Sequence, residues 1–298
     1  MKKHILMAAA LVVGLSHAEP TKVLMIGNSY SICVLKEMPK ICADLGIELD
    51  LCSLYIGGCS LARHSANLVS NATPYLVTWN YCGKTGRDAV PFGKVIDDAK
   101  SDKVNLLRGM IAADKWDIVT IQQASPESWK PSNYEPYGSN LIAAIRELAP
   151  QAKIYVQQTW SYTPLSARLT SWRLDENSMY DKLSAAYAAF AARHGLTTIR
   201  TGEAVQRFRR ELPVVFEPHV PSKDDIVGKN VSVKRDGNDW VVSGDCIHLN
   251  ERGEFLQGLV WTAKIFNADV EKSTYTPKYM ANRTKEVALM RHIAASLR

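Results

Sequence analysis

The feature that most constrains the fold is the regular alternation of short apolar runs with helical patterns. Five runs have the length and composition of buried strands: Lys22–Ile26, Ile47–Tyr55, Asp117–Ile121, Lys153–Val156 and Leu196–Arg200. Four segments carry apolar residues at helical spacing: Ile32–Leu45, Leu141–Leu148, the stretch from the predicted N-cap Asp175 to Gly195, and the stretch after Asn250; a fifth helix is expected over Thr284–Leu297. Strands that alternate with helices form parallel sheets covered on both faces. The sequence therefore predicts a three-layer, flavodoxin-like α/β sandwich with a parallel sheet of about five strands.

One segment interrupts this alternation. Val231–Val242 contains two alternating runs separated by Asp236-Gly237, which is typical of a β-hairpin turn. We expect this hairpin to be an insertion directly before the segment that begins at Asp245. Because the sequence shows no repeats, no low-complexity tract and no clear linker, we expect residues 19–298 to form a single domain.

The first eighteen residues have the pattern of an export signal. Lys2 and Lys3 precede the apolar stretch Ile5–Leu15, and Ser16–Ala18 offers small residues where a signal peptidase cleaves. The apolar stretch is shorter than the roughly 20 residues that a membrane span requires. We therefore expect a signal peptide over residues 1–18, a secreted or periplasmic protein, and no membrane span.

Net charge and cysteine spacing limit the kinds of partner and metal that can be expected. The net charge of +6 is modest and the basic residues are scattered, so no nucleic-acid partner is expected. The six cysteines include no C-x-x-C pair, which argues against a zinc site. An exported chain can form disulfides, but the cysteines could equally be buried thiols, and the sequence does not choose between these alternatives.

The residues that carry chemistry follow the predicted strands, because ligands bind beyond the carboxyl ends of parallel strands. Ser29 follows the first strand, and a serine hydroxyl becomes a good nucleophile when a base takes its proton. His248 can be that base, because histidine titrates near neutral pH. Asp245, three residues earlier, can bind the other ring nitrogen and stabilise the imidazolium. The sequence thus predicts a catalytic triad of Ser29, His248 and Asp245.

An oxyanion hole requires donors that are fixed in place before the reaction. The backbone N–H groups of Ser29 and Gly58 are two candidates, since Gly58 has no side chain to obstruct a ligand. Gln122 and Gln123, at the end of the third strand, each offer a side-chain amide. We expect the oxyanion hole to be built from these residues, with Gln123 preferred to Gln122.

These candidate catalytic and oxyanion residues, in their order along the chain, resemble the sequence blocks of the SGNH (GDSL-type) hydrolase superfamily. Gly27–Ser29 resembles the first block, Ile56–Gly58 the second and Asp245-x-x-His248 the last. The resemblance extends from Lys22 to about Asn267. It implies a flavodoxin-like fold, a serine nucleophile, a glycine oxyanion donor, and hydrolysis of acyl esters without a metal or other cofactor.

Two further sequence segments, Gly58–Leu61 with His64 and Thr120–Gln123, look like those of a secreted bacterial branch of that superfamily whose activity is poorly defined.

The chain departs from the superfamily pattern in two places. Asn28 replaces the usual aspartate of the first block, and Gln122–Ser125 replaces the Gly-x-Asn-Asp of the third. Some carbohydrate acetylesterases of similar fold use a glutamine in place of that asparagine, which is why a glutamine is the candidate here.

Aromatic residues are frequent in the predicted loops at the edge of the sheet, and flat rings can pack against sugar faces. We expect four residues to bind substrate: Asn28, His64, Trp129 and Trp160. For His64 the alternative is a solvated position at the start of a helix, and for each aromatic ring it is a structural role over the sheet edge.

No ligand spacing typical of a metal site occurs, so we expect neither metal nor cofactor.

These features favour an exported serine esterase that hydrolyses O-acyl esters, above all O-acetyl esters, of a small molecule or glycan. Two alternatives remain open at this stage. The missing third-block asparagine suits a non-catalytic glycan-binding protein built on a hydrolase fold. The same triad would also serve an acyltransferase.

Overall fold

The computed structural model describes residues 19–70, 75–81, 84–91, 106–211, 220–222 and 224–298. The predicted signal peptide over 1–18 lies outside the described residues, as does Cys82. Cys33, Cys59 and Cys246 carry free thiols. Among the described helices, none is both long enough and apolar enough to cross a membrane.

Within these described ranges, seven strands form the main sheet in the order β4-β3-β2-β1-β5-β6-β7, and two more form a separate hairpin. The strands are β1 Thr21–Gly27, β2 Leu49–Tyr55, β3 Leu76–Tyr81, β4 Lys84–Pro91, β5 Ile118–Ile121, β6 Lys153–Gln157, β7 Thr197–Ile199, β8 Val227–Asp236 and β9 Asp239–Leu249. Five neighbouring strands, which lie in the sheet in the order β2-β1-β5-β6-β7, run parallel. Their order is that of the flavodoxin-like fold, which confirms the predicted class. The antiparallel strands β3 and β4, which extend the edge beyond β2, were not predicted.

Helices flank the sheet on both faces. They are α1 Ser29–Ile32, α2 Val34–Asp44, α3 Leu61–Asn67, α4 Leu106–Ala112, α5 Tyr137–Leu148, α6 Ala167–Trp172, α7 Glu176–His194, α8 Thr201–Glu211, α9 Glu251–Phe266 and α10 Thr284–Ser296, with short 3₁₀ turns at Pro131–Asn133, Val270–Lys272 and Lys278–Met280. Helix α9 contacts α2, α8 and α10, whereas α5 contacts α3 and α4. Every residue of β5 is buried, as expected for a central strand with helices on both sides.

Local sequence signals set the ends of the predicted helices. Asp175 caps α7 because its side chain accepts a hydrogen bond from the Ser178 N–H at 2.6 Å, and the Asp175 N–H in turn donates to Ser178 Oγ at 3.0 Å. Gly195 ends the helix in the left-handed conformation with φ +64°. The predicted helix boundaries at these two residues are therefore confirmed.

The predicted hairpin is present and is longer than expected. Its two-residue turn follows Asp236, and Gly237 adopts φ +60° there. Strand β9 extends to Leu249, so Asp245 and His248 lie within the hairpin rather than after it. Gly244 has φ +97°, and a Cβ atom at that position would lie 2.5 Å from the Asn230 carbonyl oxygen. A glycine is thus required immediately before Asp245, where the second strand closes on the first.

Candidate active site

The turn between β1 and α1 places Ser29 at the carboxyl edge of the sheet. Asn28 caps α1 because its Oδ1 accepts the Tyr30 N–H at 3.0 Å. Its Nδ2 donates to the Cys59 carbonyl oxygen at 2.9 Å, which joins this turn to the loop after β2. Gly27 is needed in this turn, since an added Cβ would lie 2.2 Å from Ser31 Oγ. Ser29 is therefore presented by a turn that is fixed on both sides.

The structure brings the three predicted triad residues into one hydrogen-bonded chain. His248 Nε2 lies 2.8 Å from Ser29 Oγ, although the two residues are 219 positions apart. His248 Nδ1 lies 2.7 Å from Asp245 Oδ2. This is the arrangement in which one ring nitrogen can accept the serine proton while the carboxylate fixes the tautomer.

The Asp245 carboxylate is held in place by the backbone as well as by the imidazole. Its Oδ1 accepts the N–H groups of Ile247 and His248 at 3.1 and 3.2 Å. Burial acts to raise the pKa of Asp245, but the hydrogen bonds from Ile247 and His248 outweigh it, so the pKa is lowered from its ordinary value. The carboxylate therefore carries a negative charge at neutral pH and can stabilise an imidazolium.

Two buried aromatic rings hold the segment that carries His248. The Ile247 carbonyl oxygen accepts hydrogen bonds from the Tyr30 hydroxyl at 2.5 Å and from Trp160 Nε1 at 2.9 Å. The two rings stack in parallel with centroids 4.1 Å apart, and the Tyr30 ring meets the His248 ring edge-on at 5.5 Å. Trp160 is fully buried, so its predicted contact with substrate is wrong: its indole N–H and both ring faces are used inside the protein. Tyr30 was not singled out from the sequence.

The loop after β2 carries Gly58 to the same edge of the sheet. The Ile56 N–H donates to the Gly27 carbonyl oxygen at 3.3 Å, which ties this loop to the turn before Ser29. Gly58 is exposed, with φ +62°. Nothing in the described part of the chain accepts a hydrogen bond from the Gly58 N–H. Gly58 lines a cavity of about 370 Å³ together with Ser60, Ala62, Gln123, Ala124, Pro126, Glu127, Asn133 and Tyr137.

The two glutamines have different partners. Gln123 is tied down at both ends: its Oε1 accepts the N–H groups of Leu61 and Ala124 at 3.0 and 2.8 Å, and its Nε2 donates to the Asn133 carbonyl oxygen at 2.8 Å. The Gln123 amide therefore joins the loops that surround the cavity, and its role as an oxyanion donor stays a prediction.

Gln122 instead reaches the turn that carries Ser29. Its Nε2 donates to Asn28 Oδ1 at 2.5 Å. Its Cδ lies 3.5 Å from the position that a Cβ atom on Gly27 would occupy. An amide nitrogen carries two hydrogens, and Asn28 takes one of them. Gln122 consequently lies beside the turn that carries Ser29, and its second amide hydrogen is a candidate donor there.

Two more predicted substrate contacts are wrong because the side chains are buried and occupied. Both polar ends of Asn28 bind the protein, and the residue is 1% exposed. His64 is fully buried, neither solvated nor lining either cavity near the triad, and its Nδ1 lies 2.7 Å from the Tyr75 hydroxyl. Burial lowers the pKa of His64 to about 3, so the ring is neutral. Trp129, which is half-buried against Trp172 at 5.5 Å, stays a prediction.

A second cavity, of about 500 Å³, lies on the imidazole side of the triad. It is lined by the start of α6 and by β9, that is by Ser166, Ala167, Arg168, Val242, Ser243, Gly244, Asp245, Cys246, Ile247 and His248. In the described ranges, no group of three or more His, Cys, Asp or Glu side chains is placed to hold a metal ion.

A family described as "Domain of unknown function (DUF4886)" matches residues 22–295, which is most of the chain. The protein belongs to the DUF4886 family. Comparison with the curated proteins gave no match.

Solved structures place this DUF4886 chain among proteins of the same fold. A DUF4886 family protein from Bacteroides uniformis is 22% identical with a TM-score of 0.74, over 93% of this chain and 94% of that one. A protein from Slackia heliotrinireducens classed as an SGNH hydrolase is 18% identical with a TM-score of 0.52, over 83% of this chain and 100% of that one. The resemblance to an SGNH-like family of poorly defined activity is thus confirmed at the level of the fold.

Proposed function

We propose that this protein is an exported serine esterase that hydrolyses O-acyl esters, above all O-acetyl esters, on carbohydrate. The observation that carries the proposal is the continuous hydrogen-bonded chain from Ser29 Oγ through the His248 ring to Asp245, with distances of 2.8 and 2.7 Å. Support for export comes from the signal-like pattern of residues 1–18.

In the proposed mechanism, His248 Nε2 takes the proton of Ser29 Oγ as that oxygen attacks the ester carbonyl carbon. The negative charge that develops on the carbonyl oxygen is stabilised by the N–H groups of Ser29 and Gly58 and by the second hydrogen of Gln122 Nε2. The imidazolium, stabilised by Asp245, then gives its proton to the oxygen of the departing alcohol. A water molecule, activated by the same imidazole, releases the acyl group from Ser29.

The lining of the cavity beside Gly58 supports a small acyl group. Ser60, Glu127 and Tyr137 supply polar side chains to that cavity. A fatty acyl chain would need a long apolar surface, which polar side chains of this kind do not provide, so the lining favours a short acyl group such as acetyl. The partly accessible Trp129, which packs against Trp172, can offer a ring to a sugar face.

Substitution of the nucleophile tests the proposal. Ser29→Ala should reduce the release of p-nitrophenol from its acetyl ester by at least about 10³-fold, because the variant lacks the hydroxyl that attacks the carbonyl. Ser132→Ala is the matched control, since Ser132 is exposed on a 3₁₀ turn outside both cavities. Thermal unfolding of both variants checks that the fold is intact. Equal turnover by Ser29→Ala and the wild type would refute the proposal.

Product analysis separates hydrolysis from transfer. With an acetylated sugar as donor and a second sugar in excess, an esterase releases acetate, whereas an acyltransferase yields the acetylated acceptor. Acetylated acceptor as the main product would replace the proposed hydrolysis with group transfer by the same triad.

A further inference from the structure

The 500 Å³ cavity beside His248 is separate from the cavity that Gly58 lines, and the two share no residue. In a triad mechanism the imidazolium protonates the oxygen of the departing alcohol, so that alcohol must lie on the imidazole side of the nucleophile. The proposed oxyanion donors, which include the Gly58 N–H, lie on the other side of the nucleophile. The position of the larger cavity therefore suits the alcohol part of the ester, and the cavity beside Gly58 suits the acyl part.

One wall of the larger cavity carries a positive charge. Arg168 is exposed at the start of α6, where its side chain interacts with the Tyr162 hydroxyl, and no carboxylate in the described part of the chain forms an ion pair with it. The neighbouring Ser166 is 1% exposed, and its Oγ is buried without a hydrogen-bond partner among the described residues. A buried hydroxyl without a partner is costly unless a ligand supplies one. The wall thus offers a guanidinium and a hydroxyl to an incoming group.

The lining of the same cavity includes the Asp245 carboxylate, which would repel an anion if it were unpaired. Its Oδ2 binds the His248 ring and its Oδ1 accepts two backbone N–H groups, so its charge is largely compensated. Arg168 is consequently the charge that an incoming group meets. Guanidinium groups bind carboxylates with two parallel hydrogen bonds, and a serine hydroxyl can add a third.

We propose that this cavity is the subsite for the alcohol part of the substrate and that Arg168 selects alcohols bearing a carboxylate. In carbohydrate terms the preferred substrate is an O-acyl ester of an acidic sugar unit, such as a uronic acid. This inference rests on the proposed esterase function and narrows its substrate class.

A pair of model esters tests the charge preference. Both 4-acetoxybenzoate and 4-acetoxybenzamide release acetate, but only the first has a carboxylate on its leaving group. The ratio of their kcat/KM values should fall about tenfold in Arg168→Gln relative to the wild type, while the value for the amide stays within about twofold. Arg168→Lys should keep part of the preference, and added salt should weaken it in the wild type. Arg210→Gln, an exposed arginine on α8 outside both cavities, is the matched control and should keep the wild-type ratio.

A third ester tests the side of the site. p-Nitrophenyl hemisuccinate carries its carboxylate on the acyl part, so its kcat/KM should change little in Arg168→Gln. An unchanged acid-to-amide ratio in Arg168→Gln would overturn the inference and leave the esterase intact. An equal loss on the hemisuccinate would overturn the assignment of the cavity to the alcohol. If the wild type hydrolysed none of the three esters in a manner dependent on Ser29, the proposed function itself would fail, and the subsite with it.

Discussion

The buried His64 should make the stability of the fold depend on pH. The ring is fully buried in α3, and its Nε2 has no hydrogen-bond partner among the described residues. Burial lowers its pKa to about 3, whereas an unfolded histidine has a pKa of about 6.5. Below about pH 6.5 the unfolded chain therefore binds a proton that the folded chain does not. The free energy of unfolding must fall as the pH falls from about 6.5 towards 3.

The size of this effect follows from the two pKa values. Each pH unit between them removes about 1.4 kcal/mol of stability. Between about pH 7.5 and pH 5, the His64 contribution to the loss is therefore about 2 kcal/mol. Urea unfolding of the wild type and of His64→Gln at both pH values measures this contribution directly. Because each variant is compared with itself, an overall destabilisation by the substitution does not disturb the result.

A second histidine provides the control. His292 has a side chain that is 67% exposed, so His292→Gln removes an imidazole without altering the core and serves as the matched control variant. His64→Gln should lose about 2 kcal/mol less than the wild type over the same interval. Equal losses in the wild type and His64→Gln would show that the buried ring does not carry the pH dependence.

Three further predictions concern the support of the site. Tyr30→Phe removes one hydrogen bond to the Ile247 carbonyl oxygen and should lower kcat about tenfold with little change in KM, as measured by ester hydrolysis. Arg209→Met leaves the buried Asp225 carboxylate without its partner and should cost about 3–5 kcal/mol in urea unfolding; the double variant Arg209→Met with Asp225→Leu should recover part of that loss. Asp245→Asn should lower kcat about 10³- to 10⁴-fold while the melting temperature changes little, since the imidazole loses the carboxylate that stabilises its charged form.

The parts of the fold that the sequence predicts are those with strong local signals. The strand that ends before Ser29 is a continuous apolar run, and the helix after Asp175 has both a cap and a terminating glycine. Strand β3, Leu76–Tyr81, is not predicted, because its formation depends on pairing with the distant strand β2 rather than on a local pattern. The tendency of a segment to form a strand depends strongly on such tertiary contacts.

The candidate site likewise contains some residues that local motifs identify and others that they do not. Ser29, Asp245 and His248 can be chosen from short motifs, but whether a side chain is buried depends on long-range packing that the sequence does not reveal. Trp160 and His64 illustrate this, because both were expected at the substrate site and both are fully buried. The contact between the Tyr30 hydroxyl and the carbonyl before His248 joins residues 217 positions apart, and no local pattern indicates it.

Covalent labelling tests the central claim most directly. A fluorophosphonate reacts with a serine only when a base activates that serine. Incubation of the intact protein with such a probe, followed by peptide mass spectrometry, should place one label on Ser29, and His248→Ala should abolish it. A wild-type protein that stays unlabelled, or a label on a different serine, would contradict the assignment of Ser29 and His248 as nucleophile and base.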